Sequence, residues 1–479
     1  MTALRLLALT GSATDLYVDE AQYWSWAQQP AWGYYSKPPM VAWLIALSQS
    51  VCGSGEACVR APSALAWAVT AAAVAGAAAT LYGRRLAVWA GLAALLAPGA
   101  AYSARIISTD APLLAFWALA LLAFVRLRAG GGPGWGVLLA AAFGLGLLSK
   151  YAMLYFAGCV LVAALVDPAS RAALRRPAGW GGLAAGALAL TPNLVWQAGH
   201  GLATLRHTAD NATGGGATPG LADALAFVAA QFVLAGPVVF AATLAGAGRL
   251  TRPADRMLLA FSAPILVALT GVALVTRAHA NWAAAALVAV FILGSALLER
   301  RGAVGWLAGG LVAGLALQVA LPLADANAGR LSIGGRAVYE RTLGWRALGE
   351  AVGIRAGRAG AATVVAETRP DAAALLYYGR DQGPEVSVWP PAGPRPEDHF
   401  QMERALTPAA AARGPVLAVA GCEGAGRFAG WARVGDLGEL EVASGPGATR
   451  RRRLYLLEGP PPAIRRPPPC PRPGAAAGR

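Results

Sequence analysis

Charged residues are scarce in this 479-residue chain. They make up only 14% of it, whereas hydrophobic residues make up 56% and the mean hydropathy is +0.49. Soluble domains usually carry about 25% charged residues. The chain also contains repeated apolar runs that approach the length needed to cross about 30 Å of hydrocarbon. Together these features exclude an ordinary soluble protein and predict a polytopic membrane protein.

Acidic residues are the scarcer of the two charge types, because the chain has 25 acidic and 40 basic residues and a formal net charge of +15. Such an excess can indicate nucleic-acid binding, but here many arginines stand in short clusters between apolar runs, where positive charge fixes membrane topology. The others crowd into the C-terminal third, including Arg450 to Arg453. A basic end is usually solvated or contacts anionic lipid headgroups. We therefore expect contact with membrane lipids and no binding of nucleic acid.

Ten apolar runs are candidate membrane spans, although several are shorter than the usual length of about 20 residues. They lie at residues 61–82, 86–104, 111–128, 135–149, 152–166, 179–193, 222–248, 257–275, 282–298 and 303–322. A further run, Met1 to Thr10, is too short to span and resembles the second half of a membrane helix. We expect it to be the first helix, truncated at Met1.

The arginine clusters alternate with these runs in a way that predicts the topology. If the first run leads from inside to outside, one side receives every short cluster: Arg84 and Arg85; Arg126 and Arg128; Arg171, Arg175 and Arg176; Arg249, Arg252 and Arg256; Arg300 and Arg301. Basic loops stay in the cytoplasm. The first acidic loop, Asp110, residues 196–221, residues 277–281 and the region after about Ala324 are then extracytoplasmic.

The chain changes character after residue 322, where Pro, Gly, Asp and Arg return. Short strand-like runs appear at residues 362–366, 374–378, 386–389, 416–420 and 453–457. Such runs, alternating with helical stretches, predict a small α/β domain. The Pro- and Arg-rich end is typical of disorder. We therefore divide the chain into a membrane domain (1–322), an extracytoplasmic α/β domain (323–458) and a disordered tail (459–479).

The five cysteines fit this map. Cys159 lies within a span and needs only to be a small apolar side chain. Cys52 and Cys58 lie in the first outer loop, and Cys422 and Cys470 lie in the C-terminal region. Two disulfides are possible in an oxidising compartment, but the sequence does not establish the required geometry.

The first outer loop concentrates residues that can carry chemistry. Its carboxylates, aromatic residues and lysine are Asp15, Asp19, Glu20, Tyr23, Trp24, Trp26, Trp32, Tyr34, Tyr35 and Lys37. A carboxylate can take the proton of an attacking hydroxyl group, a lysine can neutralise a phosphate, and aromatic side chains favour the membrane interface. An interfacial helix anchored by Trp24, Trp26 and Trp43, with its acids in water, explains the same pattern equally well.

The string DEAQYWSWA…WGYYSKPPMVAWL resembles the first-loop signature of the GT-C glycosyltransferases of family 39, which include protein O-mannosyltransferases and lipid A aminoarabinose transferases. The resemblance continues in order through STDAPLLAFW, LLSKYAMLYF, TPNLVWQAGHG and RAHANWAAAA, and it runs from about Asp19 to Phe400. It implies an all-α membrane domain of the GT-C type with about eleven helices. It also implies inverting transfer from a polyprenyl-phosphate sugar to a lipid or glycan acceptor, outside a bacterial inner membrane.

The resemblance implies that Asp19 is the catalytic base, that Glu20 supports it, and that Asp110 is the family's second acidic position. An aspartate that precedes Ala-Pro is also a natural helix N-cap. Some members hold a divalent ion near the paired acids. Asp19 and Asp110 could bind such an ion, although two carboxylates are a weak metal signature.

Other residues are expected to contact the donor. Lys37 lies where the family has a lysine near the donor phosphate, and Tyr23 and Tyr35 are candidates for contacts with the carrier or the sugar. Lys150 is either a phosphate ligand or a lysine that extends to the membrane surface, and the second reading is favoured slightly.

One departure from the family concerns charge. Position 22 holds Gln22, where aminoarabinose-transferase relatives commonly have an arginine, and glutamine brings no charge to a phosphate. Arg277 or His279 could compensate, and ordinary polarity at a helix start also explains them. Arg206 and His207, in the long outer loop, could contact the acceptor.

Two alternative functions stay open. A protein O-mannosyltransferase-like enzyme is expected to carry a large domain between its middle helices, and the loop of residues 196–221 is short. A transporter or flippase for polyprenyl-linked glycans is expected to have charges buried within its spans, or internal repeats. Ionisable residues are nearly absent from the middle of the predicted spans.

Overall fold

A computed structural model describes residues 1–213 (side chains to residue 210), 220–276 and 278–470. Its α-helices are, in chain order, α1 (Thr2–Thr10), α2 (Val18–Ala27), α3 (Met40–Cys52), α4 (Glu56–Tyr82), α5 (Arg84–Leu96), α6 (Pro98–Ser103), α7 (Asp110–Arg128), α8 (Gly134–Ser149), α9 (Leu154–Val166), α10 (Pro168–Arg175), α11 (Pro177–Leu188), α12 (Thr191–Gly199), α13 (Ala203–Thr213), α14 (Leu221–Ala235), α15 (Pro237–Gly246), α16 (Pro253–Ala260), α17 (Ala263–Val275), α18 (Ala284–Arg300), α19 (Val304–Ala326), α20 (Trp345–Arg358), α21 (Arg369–Tyr378), α22 (His399–Glu403) and α23 (Pro408–Ala411). Its strands are β1 (Ser332–Ile333), β2 (Arg336–Ala337), β3 (Thr363–Ala366), β4 (Glu385–Val388), β5 (Val416–Ala420), β6 (Arg433–Gly445) and β7 (Ala448–Glu458).

The chain forms two compact units. The first, the membrane unit, comprises Met1–Gly11 and Pro30–Leu323; the second, the C-terminal unit, comprises Ser12–Gln29 and the chain from Ala324 onward. The predicted membrane domain of residues 1–322 therefore differs from the observed unit, because Ser12–Gln29 groups with the C-terminal unit. The physical reason is packing, since helix α2 lies against helix α21.

The membrane unit is helical, and a large cluster of alanine, leucine, valine and phenylalanine side chains forms its core. Within the described residues, five segments are long and apolar enough to cross a membrane, or up to six if a bent pair counts as one span. The five are Glu56–Tyr82, Asp110–Arg128, Pro253–Val275, Ala280–Arg300 and Val304–Ala326. The all-α membrane domain is thus confirmed, whereas the count of about eleven spans stays a prediction.

Several of the predicted runs are divided between two helices in the structure. Between α14 and α15 the chain bends by 118°. Gly236 at the bend has a φ of +91°, which side chains with a Cβ atom avoid. Pro237 follows it and has no N–H group to continue the first helix. A second break, before Pro98, divides the run at residues 86–104 into α5 and α6.

The loop predicted to be the first outer one contains an apolar helix, α3, that was not predicted. Cys52 at its end is bonded to Cys58 in the first turn of α4, so that a disulfide closes the connection. Cys159 is buried and free, as expected of a small apolar side chain. The apolar stretch of α3 is short, which is why it reads as part of the loop.

Arginines at the ends of membrane helices are paired with buried carboxylates. Asp167 accepts hydrogen bonds from Arg128 at 2.7 Å and, as the N-cap of α10, from the backbone N–H of Ser170 at 2.9 Å. Asp255 accepts from Arg300 at 3.1 Å. These pairs satisfy charges that would otherwise be costly to bury, and they lie at helix ends.

The C-terminal unit is α/β, as predicted. Its five-stranded sheet has the order β4-β3-β5-β7-β6, in which β3 runs parallel to β4 and β5, and β7 runs antiparallel to β5 and β6. The strand predicted at residues 374–378 is wrong, because these residues form the second half of α21. Thr368 caps this helix and Pro370 occupies its first turn, and both favour a helix start.

The predicted disorder of residues 459–479 does not hold for residues 459–470. Cys470 is bonded to Cys422, so that the second possible disulfide is also present. Arg466 pairs with Glu397 at 2.7 Å, and Arg427 donates to the carbonyl of Pro468 at 2.9 Å. Residues 471–479 lie outside the described residues.

Candidate active site

Two of the three carboxylates near α2 bind the starts of helices. Oδ2 of Asp15 accepts hydrogen bonds from the backbone N–H groups of Trp345, at 2.8 Å, and of the next residue, at 3.2 Å. Oε2 of Glu20, which is buried, accepts from the backbone N–H of Tyr17 at 2.9 Å. The first N–H groups of a helix have no partner within it, and these acids supply one. Glu20, predicted to support a catalytic base, therefore caps α2.

Asp19 is different, because 44% of its side chain is exposed. Its Oδ1 atom accepts a hydrogen bond from Nη1 of Arg369 at 2.8 Å. The same nitrogen donates to Oε1 of Gln22 at 2.6 Å. The charge that Gln22 lacks is thus supplied beside it by Arg369, at the start of α21. The sequence contained a signal for this helix start in Thr-Arg-Pro-Asp, but none for the pairing with α2.

The aromatic residues of α2 pack within the C-terminal unit. The ring of Trp24 meets the ring of Tyr377 edge-on, with centroids 4.9 Å apart, and Trp26 meets His399 at 5.3 Å. Both tryptophans are buried, so that they do not anchor an interfacial helix. Burial lowers the pKa of His399 to about 3, which keeps its ring neutral at physiological pH. Tyr23 is only 6% exposed, and this burial does not favour the predicted sugar contact.

A polar centre lies at the start of α7 in the membrane unit. Oδ1 of Asp110 accepts a hydrogen bond from Nζ of Lys150 at 2.6 Å, and Oδ2 accepts from Nδ2 of Asn281 at 2.7 Å. The charge of Lys37 also acts on this carboxylate. Lys150 follows the last residue of α8, and it forms an ion pair rather than only extending to the membrane surface, which was the reading that the sequence favoured. Asn281, which sequence reasoning did not select, completes the centre.

Two cavities adjoin this centre. The larger, of about 370 Å³, has a mainly apolar lining, and Asp110, His279 and Asn281 are among its polar lining residues. The smaller, of about 200 Å³, is lined by Lys37 and Lys150 among others. Asp110, which lines the larger cavity, is therefore paired with Lys150, which lines the smaller one.

The remaining predicted site residues occupy different positions. His207 lines the smaller cavity, and its ring lies 5.5 Å from that of Tyr35. The exposed ring of His279 lies 5.5 Å from that of Trp282. Arg206 is exposed on α13 and lines neither cavity. Arg277 lies outside the described residues.

Lys37 and Lys150 are the only lysines of the chain, among 40 basic residues. Arginine stands at all the other basic positions, yet both lysines line the same cavity. A lysine presents a compact point charge on a flexible stem, whereas arginine presents a wide planar group. The composition therefore indicates that this cavity uses small ammonium groups.

A divalent metal ion finds no ready set of ligands in the part of the chain that the structure describes. No group of three or more His, Cys, Asp or Glu side chains suitable for a metal occurs there. Both oxygens of Asp110 already accept hydrogen bonds, and Asp19, in the other unit, accepts from Arg369. The predicted metal site at Asp19 and Asp110 is thus not supported, and we derive no step through a metal.

The architecture defines a class: a polytopic membrane protein with candidate polar groups at helix ends and a small α/β unit. A family model described as dolichyl-phosphate-mannose-protein mannosyltransferase matches residues 36–196. The chain is 34% identical over 411 residues to the lipid A galacturonosyltransferase RgtD of Rhizobium johnstonii. This match covers 85% of the present chain and 86% of RgtD.

Solved structures agree on the fold. Crystal structures of ArnT from Cupriavidus metallidurans, in the apo state and bound to undecaprenyl phosphate, match with TM-scores of 0.62 and 0.64. Their sequence identities are 16% and 17%, and each match covers 96% of this chain and 97% of the other. The chain belongs to the GT-C glycosyltransferases of family 39, and it is a membrane glycosyltransferase.

Proposed function

We propose that the protein is an inverting glycosyltransferase of the inner membrane. It moves a sugar from a polyprenyl-phosphate donor to a lipid acceptor of the lipid A class on the extracytoplasmic face. The observation that carries this proposal is the centre of Asp110, Lys150 and Asn281, with Lys37 nearby. Two ammonium groups beside a largely apolar cavity suit a phosphate that carries a hydrocarbon chain.

The relatives support both substrates. RgtD is named for transfer of galacturonic acid to lipid A, and one ArnT structure holds undecaprenyl phosphate. The match to RgtD extends over most of this chain, whereas the protein mannosyltransferase model matches only residues 36–196. This difference favours a lipid acceptor over a protein acceptor. The name of RgtD also favours a uronic acid as the transferred sugar.

The proposed reaction is a single displacement. Asp19, with its half-exposed carboxylate, takes the proton of the acceptor hydroxyl group. The hydroxyl oxygen forms a bond to the anomeric carbon while the bond from that carbon to the phosphate oxygen breaks. The electron pair leaves with the polyprenyl phosphate, whose charge Lys37 and Lys150 neutralise. One displacement inverts the anomeric configuration, since attack and departure occur on opposite faces.

Transfer by the purified protein tests the proposal. The full-length protein in nanodiscs is mixed with polyprenyl-phosphate galacturonate and lipid A, and the product is identified by mass spectrometry. We expect the wild type to form glycosylated lipid A and Asp19→Asn to form none. The matched control is Asp381→Asn, because Asp381 is an exposed acid of the same unit. Equal rates for the two variants would contradict the role of Asp19, and transfer only to a peptide acceptor would favour the mannosyltransferase alternative.

A further inference from the structure

Arg369 connects two side chains of α2 through one nitrogen atom. Its Nη1 group donates to Oδ1 of Asp19 at 2.8 Å and to Oε1 of Gln22 at 2.6 Å. Residues 19 and 22 are three positions apart and lie on the same face of the helix. Arg369 lies at the first position of α21, and all three residues belong to the C-terminal unit. The guanidinium group therefore holds the carboxylate in one orientation.

The start of α21 is itself firmly held. The hydroxyl of Thr368 donates to Oδ2 of Asp371 at 2.7 Å, and it accepts from the backbone N–H of the same residue. Oδ1 of the fully buried Asp371 accepts from Arg452 of β7 at 2.8 Å. These contacts connect the start of α21, where the backbone of Arg369 lies, to the sheet. The backbone that carries the guanidinium group is therefore fixed in place.

Helix α2 is held against α21 by separate contacts. The Trp24 and Tyr377 rings meet edge-on, and the hydroxyl of Tyr378 accepts from the backbone N–H of Leu16 at 2.6 Å. The distance between Asp19 and Arg369 therefore does not depend on their own ion pair alone. Loss of the guanidinium should leave the two helices packed.

Part of each group is left open. A guanidinium carries five N–H donors. The two on Nη1 are used, and Nε and Nη2 of Arg369 have no hydrogen-bond partner among the residues that the structure describes. Oδ2 of Asp19 likewise accepts no hydrogen bond from any described residue. The side chain of Arg369 is 38% exposed. One carboxylate oxygen is thus open to take a proton, and part of one guanidinium is open to bind an anion.

We infer that Arg369 is a positioning residue for Asp19 and, through its remaining N–H groups, a ligand for an oxyanion of the donor. The oxyanion is either the carboxylate of a uronic sugar or the donor phosphate, since a guanidinium binds both in the same bidentate way. This inference rests on the proposed function, in which Asp19 takes the acceptor proton. It assigns to α21 the positive charge that position 22 does not carry.

Steady-state kinetics of Arg369→Ala test the inference. Loss of the oriented carboxylate should lower kcat on the order of 10- to 100-fold, and loss of the anion contact should raise the KM for the donor. The matched control is Arg413→Ala, which removes another arginine–carboxylate pair of the same unit, with Glu385. If Arg369→Ala does not fold, Arg369→Met replaces it, because methionine keeps most of the aliphatic part of the side chain without the charge or the N–H donors. Kinetics equal to those of Arg413→Ala would overturn the inference.

Moving the charge provides a rescue. In the double variant Gln22→Arg with Arg369→Ala, the new arginine lies three residues after Asp19 on α2, within reach of the carboxylate. The space that the original guanidinium leaves can accommodate it. We expect most of the kcat to return. A folded double variant as slow as Arg369→Ala would show that the guanidinium is not the required group, and would overturn the positioning role.

Two donors on the same carrier distinguish the two oxyanions. One carries a uronic sugar and the other the corresponding neutral sugar. A rise in KM confined to the uronic donor identifies the sugar carboxylate, and a rise with both donors identifies the phosphate. An unchanged KM with both overturns the ligand role. These outcomes require an active wild type, so that a wild type without any transfer counts against the proposed function instead.

Discussion

Replacing Asp110 by Asn tests the polar centre of the membrane unit with almost no change in side-chain size. In the native structure Oδ1 accepts from the ammonium of Lys150 at 2.6 Å and Oδ2 accepts from the amide of Asn281 at 2.7 Å. An amide group has one oxygen and one NH₂ group, so that it cannot accept hydrogen bonds from both neighbours as the carboxylate does. Its oxygen can accept from Lys150, but the ammonium group loses its counter-charge.

The cost can be estimated from the pair. A hydrogen bond to a charged group contributes about 1.5–3 kcal/mol, and breaking a fully buried ion pair costs about 3–5 kcal/mol. The side chains of Lys150 and Asp110 are still 19% and 16% exposed, so that water screens part of the loss. We expect a cost of about 2–4 kcal/mol. If this cost falls on the transition state, kcat/KM decreases roughly 30- to 1,000-fold.

The assay is the initial rate of sugar transfer by the purified full-length protein. The matched control is Asp223→Asn, because Asp223 is an exposed acid in the first turn of another apolar helix, α14. Thermal unfolding of both variants in the same detergent separates a loss of fold from a loss of activity. A rate for Asp110→Asn within about threefold of the control would refute the reasoning, since it corresponds to less than about 1 kcal/mol.

Three further predictions concern the lysine cavity, a helix cap and acid stability. Lys150→Arg should lower the initial rate about tenfold, because a wide planar group must enter a cavity of about 200 Å³. Asp15→Ala should lower the free energy of unfolding by about 1–2 kcal/mol, measured by thermal unfolding, because the start of α20 loses its acceptor. The pKa of His399 is about 3 in the folded protein and 6.5 in an unfolded chain. Between these two pH values the unfolded state binds more protons, so that the free energy of unfolding falls as the pH drops below 6.5. We expect a loss of roughly 1–3 kcal/mol by about pH 4.5, measured as the unfolding temperature.

Each of these predictions has a control. Lys150→Met should be slower than Lys150→Arg, and the reverse order would contradict a need for charge. Asp381→Ala, at an exposed position, should leave the unfolding temperature near that of the wild type, and an equal decrease in both alanine variants would exclude the cap. His399→Gln should reduce the acid effect. Burial raises the pKa of the adjacent Asp398, and this opposite shift adds stability at low pH. An unchanged dependence of the unfolding temperature on pH in His399→Gln would show that another group causes the loss of stability in acid.

The sequence selected more of the polar residues that meet in the membrane unit than of those that meet in the C-terminal unit. Asp110 and Lys150 were both selected as candidates, and the structure brings them within 2.6 Å. Their pairing could not be read from the sequence, because it depends on how α7 meets the residue after α8. Asn281 was noticed only as part of a motif. An amide side chain gives no signal of its own until the carboxylate that it binds is located.

Long-range pairing also explains what was missed in the C-terminal unit. Asp19 and Arg369 are 350 positions apart in the chain, and no local pattern joins them. The error over residues 374–378 hid the helix that presents Arg369, since apolar and aromatic residues in a short run fit a strand as well as a helix. The cap at Thr368 was the stronger signal. Asp15 and Glu20 stood together with Asp19 in the first-loop cluster, because their backbone partners cannot be seen in the sequence.

The scarcity of lysine makes this protein unusually simple to label. An amine-reactive reagent can modify only Lys37, Lys150 and the terminal amino group, so that side-chain acylation marks one cavity and no other surface. A bound donor that covers the two ammonium groups should protect them, and the extent of labelling would then report occupancy of the cavity without any measurement of turnover. Reagents that do not cross membranes would also reveal from which side the cavity opens.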